Sequence, residues 1–177
     1  MIIYRKASSI EELKEILKLQ KENLSQGLSQ EEKTMEGFVT VQHSLEILKE
    51  MNDVYPHSIA KYKNKIIGYA LSMTKEFGDK IEVLRPMFKE VSKIVLDGKY
   101  LVMGQICIDK KYRKQGVFKG LYNFMKTNAF SDNYDLIITE IDIHNSRSLK
   151  AHESVGFNKL KDYNSEDKNW RIVSLKI

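Results

Sequence analysis

The chain has 177 residues, of which 42% are hydrophobic, 30% charged and 10% aromatic, with 9 glycines and 2 prolines. That suits one globular domain over residues 1–177 and excludes a disordered or fibrous chain. No apolar run approaches the roughly 20 residues of a membrane-spanning helix, and the net charge of +5 fits an anionic cofactor as well as a nucleic acid.

The segment Met1-Ile2-Ile3-Tyr4-Arg5-Lys6 turns charged too soon for a signal peptide. With Cys107 as the single cysteine, neither an internal disulfide nor a cysteine-built metal cage is expected, which points to a reducing cytoplasm. A strand is expected over 2–7, followed by a helix to about residue 24 that starts at the capping pattern Ser9-Ile10-Glu11-Glu12. Residues 25–41 read as a loop with at most a helical turn, and Leu45, Leu48 and Met51 mark a second short helix. Strands over 57–63 and 65–73 are joined by a tight turn at Asn64. Pro86 and the apolar spacing of Leu84, Met87, Phe88, Val91 and Ile94 predict a helix over 83–96, core-facing or forming a substrate-pocket wall. A strand at 100–109, a helix at 116–129, a strand at 134–143, a helix at 146–155 and strands at 157–163 and 169–176 complete an α+β chain built on one mixed sheet.

The chemistry concentrates in 109–119, Asp109-Lys110-Lys111-Tyr112-Arg113-Lys114-Gln115-Gly116-Val117-Phe118-Lys119, where five residues are basic and one acidic. It joins the end of a strand to the start of a helix, whose unpaired N–H groups attract anions. Gly116, without a Cβ, lets a bulky anion approach the backbone, so the segment reads as a pyrophosphate cradle. It is neither a Walker A loop nor a Gly-x-Gly-x-x-Gly turn.

From Val102 to Phe157 the sequence resembles motifs A and B of the GNAT superfamily of acetyl-CoA-dependent N-acetyltransferases. The family's Arg/Gln-x-x-Gly-x-Gly/Ala signature stands here as Arg113-x-x-Gly116-x-Phe118, with Phe118 in place of the second small residue. Its second signature stands as Asn145, His152 and Gly156-Phe157, with His152 where the family usually has tyrosine. The resemblance implies a central twisted mixed sheet of about seven strands flanked by helices, and a cofactor-binding core at about 100–157. It further implies acetyl-CoA as donor, a primary amine as acceptor and direct nucleophilic attack.

Residue by residue, the resemblance assigns the strand Gln105-Ile106-Cys107-Ile108 to the pantetheine arm and to polarising the thioester carbonyl. The amides of Arg113, Lys114, Gln115, Gly116, Val117 and Phe118 are assigned to the pyrophosphate, aided by the Arg113 and Lys114 side chains. Asn145 is assigned to the pantetheine amides and His152 to the sulfur, about 10 Å away along the helix axis. A lysine-like acceptor is protonated at neutral pH, and making it neutral for attack costs roughly 4 kcal/mol, against about 1 kcal/mol for an α-amine. Glu140 is the candidate base, at the position of a glutamate that some members use so, with Asp142 as its same-face rival. His152 is the candidate acid for the departing thiolate, with Tyr122 and Tyr112 as substitutes.

Other residues read more plainly. Cys107 is core or cofactor lining rather than a nucleophile, His144 a solvent-facing turn residue, and His43 and His57 have no partner pattern. The four histidines lack metal-ligand spacing, so no metal is expected. Residues 27–40, with Met35, Phe38 and Val39, are expected to line the acceptor side. The alternative function is a CoA- or acyl-CoA-binding sensor of the same fold. Nucleic-acid binding is disfavoured because the basic residues cluster at one helix start without an RNP-like strand or a zinc finger. A small metabolite, a polyamine and a peptide N-terminus all stay open as acceptor, as do monomer and homodimer.

Overall fold

The computed structural model describes residues 1–24, 39, 41–96 and 98–177. In chain order its elements are β1 (Ile3–Lys6), α1 (Ile10–Glu22), α2 (Leu45–Val54), β2 (Ser58–Tyr62), β3 (Lys65–Met73), α3 (Arg85–Ile94) and β4 (Tyr100–Ile108). There follow α4 (Val117–Ser131), β5 (Leu136–Asp142), α5 (Ser146–Glu153), β6 (Asn158–Ser165) and β7 (Lys168–Lys176), with short 3₁₀ turns at Lys75–Gly78, Glu82–Leu84 and Lys110–Tyr112. The strands form one mixed sheet in the order β1-β2-β3-β4-β5-β7-β6. The expected α+β class and seven-stranded sheet are what the chain adopts.

Local chemistry explains the boundaries. Ser9 caps α1 by accepting the Glu12 N–H at 3.3 Å, and Glu12 answers by accepting the Ser8 N–H at 3.1 Å. The turns Lys63-Asn64 and Glu166-Asp167 have φ values of 47°, 62°, 50° and 59°, so each hairpin closes through two left-handed residues whose twist matches the strands. The second turn therefore lets β6 run on to Ser165, beyond the expected end at 163. The helix expected over 83–96 begins as a 3₁₀ turn and becomes α-helical only at Arg85, where Pro86 needs no intrahelical partner for its missing N–H.

On one face of the sheet, Ile16 and Leu19 of α1, Leu48 and Met51 of α2, and Met87 and Val91 of α3 cover Tyr69, Leu71 and Val102. On the other, Val117, Leu121 and Met125 of α4 cover Ala60, Ile67, Leu101 and Ile137. Of the expected apolar face of the 83–96 helix, Met87, Phe88 and Val91 are core while Ile94 is exposed, and Val83 and Leu84, just before the helix, line a cleft described below.

Two irregularities in β4 position that cleft. The β3–β4 register shifts between Leu71, opposite Gln105, and Ser72, opposite Met103, which leaves Gly104 as an extra residue in β4. A Cβ on Gly104 would lie 2.2 Å from Cε of Met73, so a side chain at the bulge would require the Met73 methyl end to swing aside. On the other side, β4 and β5 run parallel and pair only from Tyr100–Leu136 to Val102–Ile138. Beyond that point β5 stays paired with β7 and β4 with β3, so the sheet splits and two strand edges diverge.

Candidate active site

A cleft runs from the split to the start of α4. Its wider part, about 360 Å³, is lined by Ile106, Cys107 and Ile108, by the loop and helix start from Tyr112 to Lys119, and by Asn145, Arg147 and Ser148. Its narrower part, about 130 Å³, lies between Met103–Ile106 and Thr139–Asp142 and shares Val39, Ile106, Asn145 and Ser148 with the first.

The wide end is built from backbone. Gly116 caps α4 with φ +79° and no side-chain capping bond. The first helical bond is Gly120 N–H to the Gly116 carbonyl at 2.9 Å, so the N–H groups of Val117, Phe118 and Lys119 have no intrahelical acceptor. A Cβ on Gly116 would meet nothing within 4 Å: it would stand in open cleft, where a ligand belongs. Lys114 and Lys119 border the same space. Arg113 borders this space too. Its Nε donates to the Ile108 carbonyl at 3.1 Å and its guanidinium to Asn23 Oδ1 at 2.7 Å, tying the loop to the end of β4 and the C-cap of α1. Arg113 thus also braces the loop that carries Gly116. Tyr112 packs on Tyr62 with ring centroids 5.8 Å apart and borders the wide end, away from Glu140.

The α5 wall carries Asn145 and His152. Asn145 Oδ1 accepts the Ser148 N–H at 3.0 Å and caps the helix, so of its side chain the amide nitrogen is left to face a ligand. His152 is 2% exposed. Its Nδ1 lies 2.7 Å from the Ser148 carbonyl, which can only accept, so Nδ1 carries the proton. Its Nε2 then accepts from the Tyr122 hydroxyl at 2.8 Å. Phe118, Tyr122 and Phe157 pack edge-on around the ring, and burial lowers its pKa to about 4. A neutral ring with both nitrogens engaged has no proton to offer the cleft, a geometry that favours a wall over the expected acid. Tyr122, 1% exposed, gives its own proton to His152.

The narrow end is built from side chains. Glu140, on β5, accepts a short hydrogen bond from the Tyr163 hydroxyl of β6, and burial raises its pKa to about 7 although that bond pulls the other way. Asp142, its rival, is engaged in a turn, accepting the His144 N–H at 2.9 Å, while His144 itself is exposed as expected. Burial pushes the Cys107 thiol up to about 12, so it is no nucleophile at neutral pH.

Behind β4 lies a polar cluster that the sequence did not announce. The Gln105 amide nitrogen donates to the Val41 carbonyl at 2.8 Å, and its oxygen accepts from the Tyr69 hydroxyl at 2.5 Å and from Gln20 at 2.7 Å. Gln20 also accepts the His43 N–H at 2.7 Å and lies 2.9 Å from His43 Nδ1. His57, for which no partner pattern is visible in the sequence, bridges the Leu48 carbonyl and the Ser72 N–H at 3.1 Å each. Of the expected acceptor-side stretch 27–40, Val39 borders both parts of the cleft; Met35 and Phe38 fall outside the described residues. Among the described residues no group of three metal-ligating side chains forms, and no helix is long and apolar enough to cross a membrane.

The family model "Acetyltransferase (GNAT) family" matches residues 12–157, and the chain belongs to that family. No curated protein sequence matches at a significant level. Among solved structures, the ribosomal-protein-S18-alanine N-acetyltransferase of Escherichia coli superposes with a TM-score of 0.67 at 15% identity, over 100% of this chain and 94% of that one. The Drosophila melanogaster polyamine N-acetyltransferase gives 0.74 at 8% identity, over 100% of both chains. A chain of the NatC complex bound to Gag peptide and CoA gives 0.68 at 18% identity, over 99% of this chain and 98% of that one. At such identities the likeness is one of fold.

Proposed function

We propose that the protein transfers an acetyl group from acetyl-CoA to a primary amine by direct attack. The observation that carries this reading is the continuous cleft, which leads from the unpaired amides at the start of α4 to a carboxyl with a pKa near neutrality. The space a Gly116 side chain would fill, the free N–H groups beside it and the lysines around it fit a diphosphate. Bound acetyl-CoA supplies an activated thioester there.

The chain's own residues do the rest. The amides from Gly116 to Phe118 bind the diphosphate, the free edge of β4 and the Asn145 amide nitrogen orient the arm, and His152 with its aromatic neighbours excludes water from one wall. Glu140, with a pKa of about 7, is ionised in part at neutral pH and takes the proton from the acceptor ammonium directly or through water. The test is thiol release from acetyl-CoA against a panel of amines. Release that depends on both an amine and Glu140 supports the transferase, whereas CoA binding with no amine-dependent release makes the protein a sensor.

A further inference from the structure

The polar cluster behind β4 fixes the protonation of a second residue in the narrow end. Val41 offers a carbonyl and His43 a backbone N–H, so the orientations of the Gln105 and Gln20 amides are both determined: each has its nitrogen toward an acceptor and its oxygen toward a donor. Gln20 therefore presents N–H, not oxygen, to His43 Nδ1 at 2.9 Å. Nδ1 must be the lone-pair nitrogen, and the ring proton sits on Nε2. Protonating Nδ1 would set two donors against each other. Burial opposes the cation as well, lowering the pKa of His43 to about 4. The ring is 9% exposed, borders the same 130 Å³ space as Glu140, and its Nε2 has no partner among the described residues.

Building on the transferase reading above, we infer that His43 is a specificity-determining residue, whose Nε2–H holds a neutral oxygen of the acceptor next to its amine. The preferred acceptor is then an α-amino carbonyl compound rather than a plain alkylamine. A carbonyl is preferred to a carboxylate because Glu140 and Asp142 line this space and, among the described residues, no lysine or arginine does. An acceptor that brings no oxygen displaces water from this donor and leaves it facing an apolar group.

The test compares glycinamide with isobutylamine, which has the same heavy-atom skeleton with methyl groups in place of the amide oxygen and nitrogen, and with glycine. The ratio of kcat/KM for glycinamide over isobutylamine is measured in the natural protein and in His43→Phe, so that the difference in amine pKa cancels. The ratio is expected to fall about 10- to 100-fold in the variant, with glycine poorer than glycinamide, and CoA calorimetry confirms that the variant is folded. A ratio that does not change overturns the inference. Binding to the CoA-loaded natural protein gives an independent reading by ¹⁵N imidazole NMR. Glycinamide should move the His43 Nε2 resonance and isobutylamine should not; a response to both or to neither overturns the inference. If no amine is acetylated, the transferase reading falls, and the NMR result still decides the role of His43.

Discussion

The two ends of the cleft are made of different material. At the wide end the groups that face the cleft include the main-chain N–H groups at the start of α4, with Lys114 and Lys119 around them, and Gly116 supplies a positive φ and a position without a Cβ. At the narrow end everything is side chain: Glu140 held by Tyr163, and His43 held by Gln20, which is in turn held by Gln105. A backbone site binds an invariant group and does not titrate. A side-chain site adjusts both its shape and its protonation, which is where acceptor choice and acid–base chemistry belong.

The sharpest way to break this contrast is to remove the titrating group. Glu140→Gln should lower kcat/KM for an alkylamine by about 10²- to 10⁴-fold and for an α-amine by less, since the latter needs less help to lose its proton. The rise in activity as pH passes through about 7, where Glu140 ionises, should vanish in the variant. A pH–rate profile between pH 5.5 and 9 decides it, and an unchanged rising limb would remove Glu140 from the chemistry.

Stability should record the same strain. Folding raises the pKa of Glu140 from 4.5 to about 7, so its charge destabilises the fold above pH 7, and no penalty exists below 4.5, where both states are protonated. Glu140→Gln is therefore expected to gain up to about 3 kcal/mol at pH 8 and almost nothing at pH 4, read from denaturant midpoints. The buried histidines act in the opposite direction. His43, His57 and His152 each have a pKa lowered from 6.5 to about 4, chiefly by burial. Their contribution is whole above 6.5 and is lost as pH falls toward 4, about 2 kcal/mol per histidine at pH 5. A denaturant midpoint that stays flat from pH 7 to 5 contradicts the buried neutral rings.

Asn145 tests the boundary between the two ends. Asn145→Ala loses the α5 cap and should cost about 1 kcal/mol of stability together with CoA affinity. Asn145→Asp keeps the capping oxygen and loses the amide donor, so stability should hold while CoA binding weakens.

The same division separates what is legible in the amino-acid sequence from what is not. Gly116, Asn145 and Gly156-Phe157 act through local backbone geometry, and local geometry leaves spacing in the sequence. Glu140 is legible from its place in the strand that precedes Asn145. The side chain of Arg113 is not, because its partner Asn23 is 90 residues away. Nor is the protonation of His43, which depends on partners whose contacts span 23 and 85 residues and on which way two amides face. The tautomer of His152 is illegible for a related reason, since a ring's free proton is set by what it touches, here Tyr122 and the Ser148 carbonyl.

All of this depends on the backbone at the start of α4 gripping a diphosphate. Calorimetric titration of CoA into the protein and into Gly116→Asp measures that grip directly. The natural protein should release heat with a saturating one-to-one isotherm, and the variant, which places a strained, negatively charged side chain in the cradle, should show none. A silent titration of the natural protein, or an isotherm the substitution leaves intact, would contradict the account.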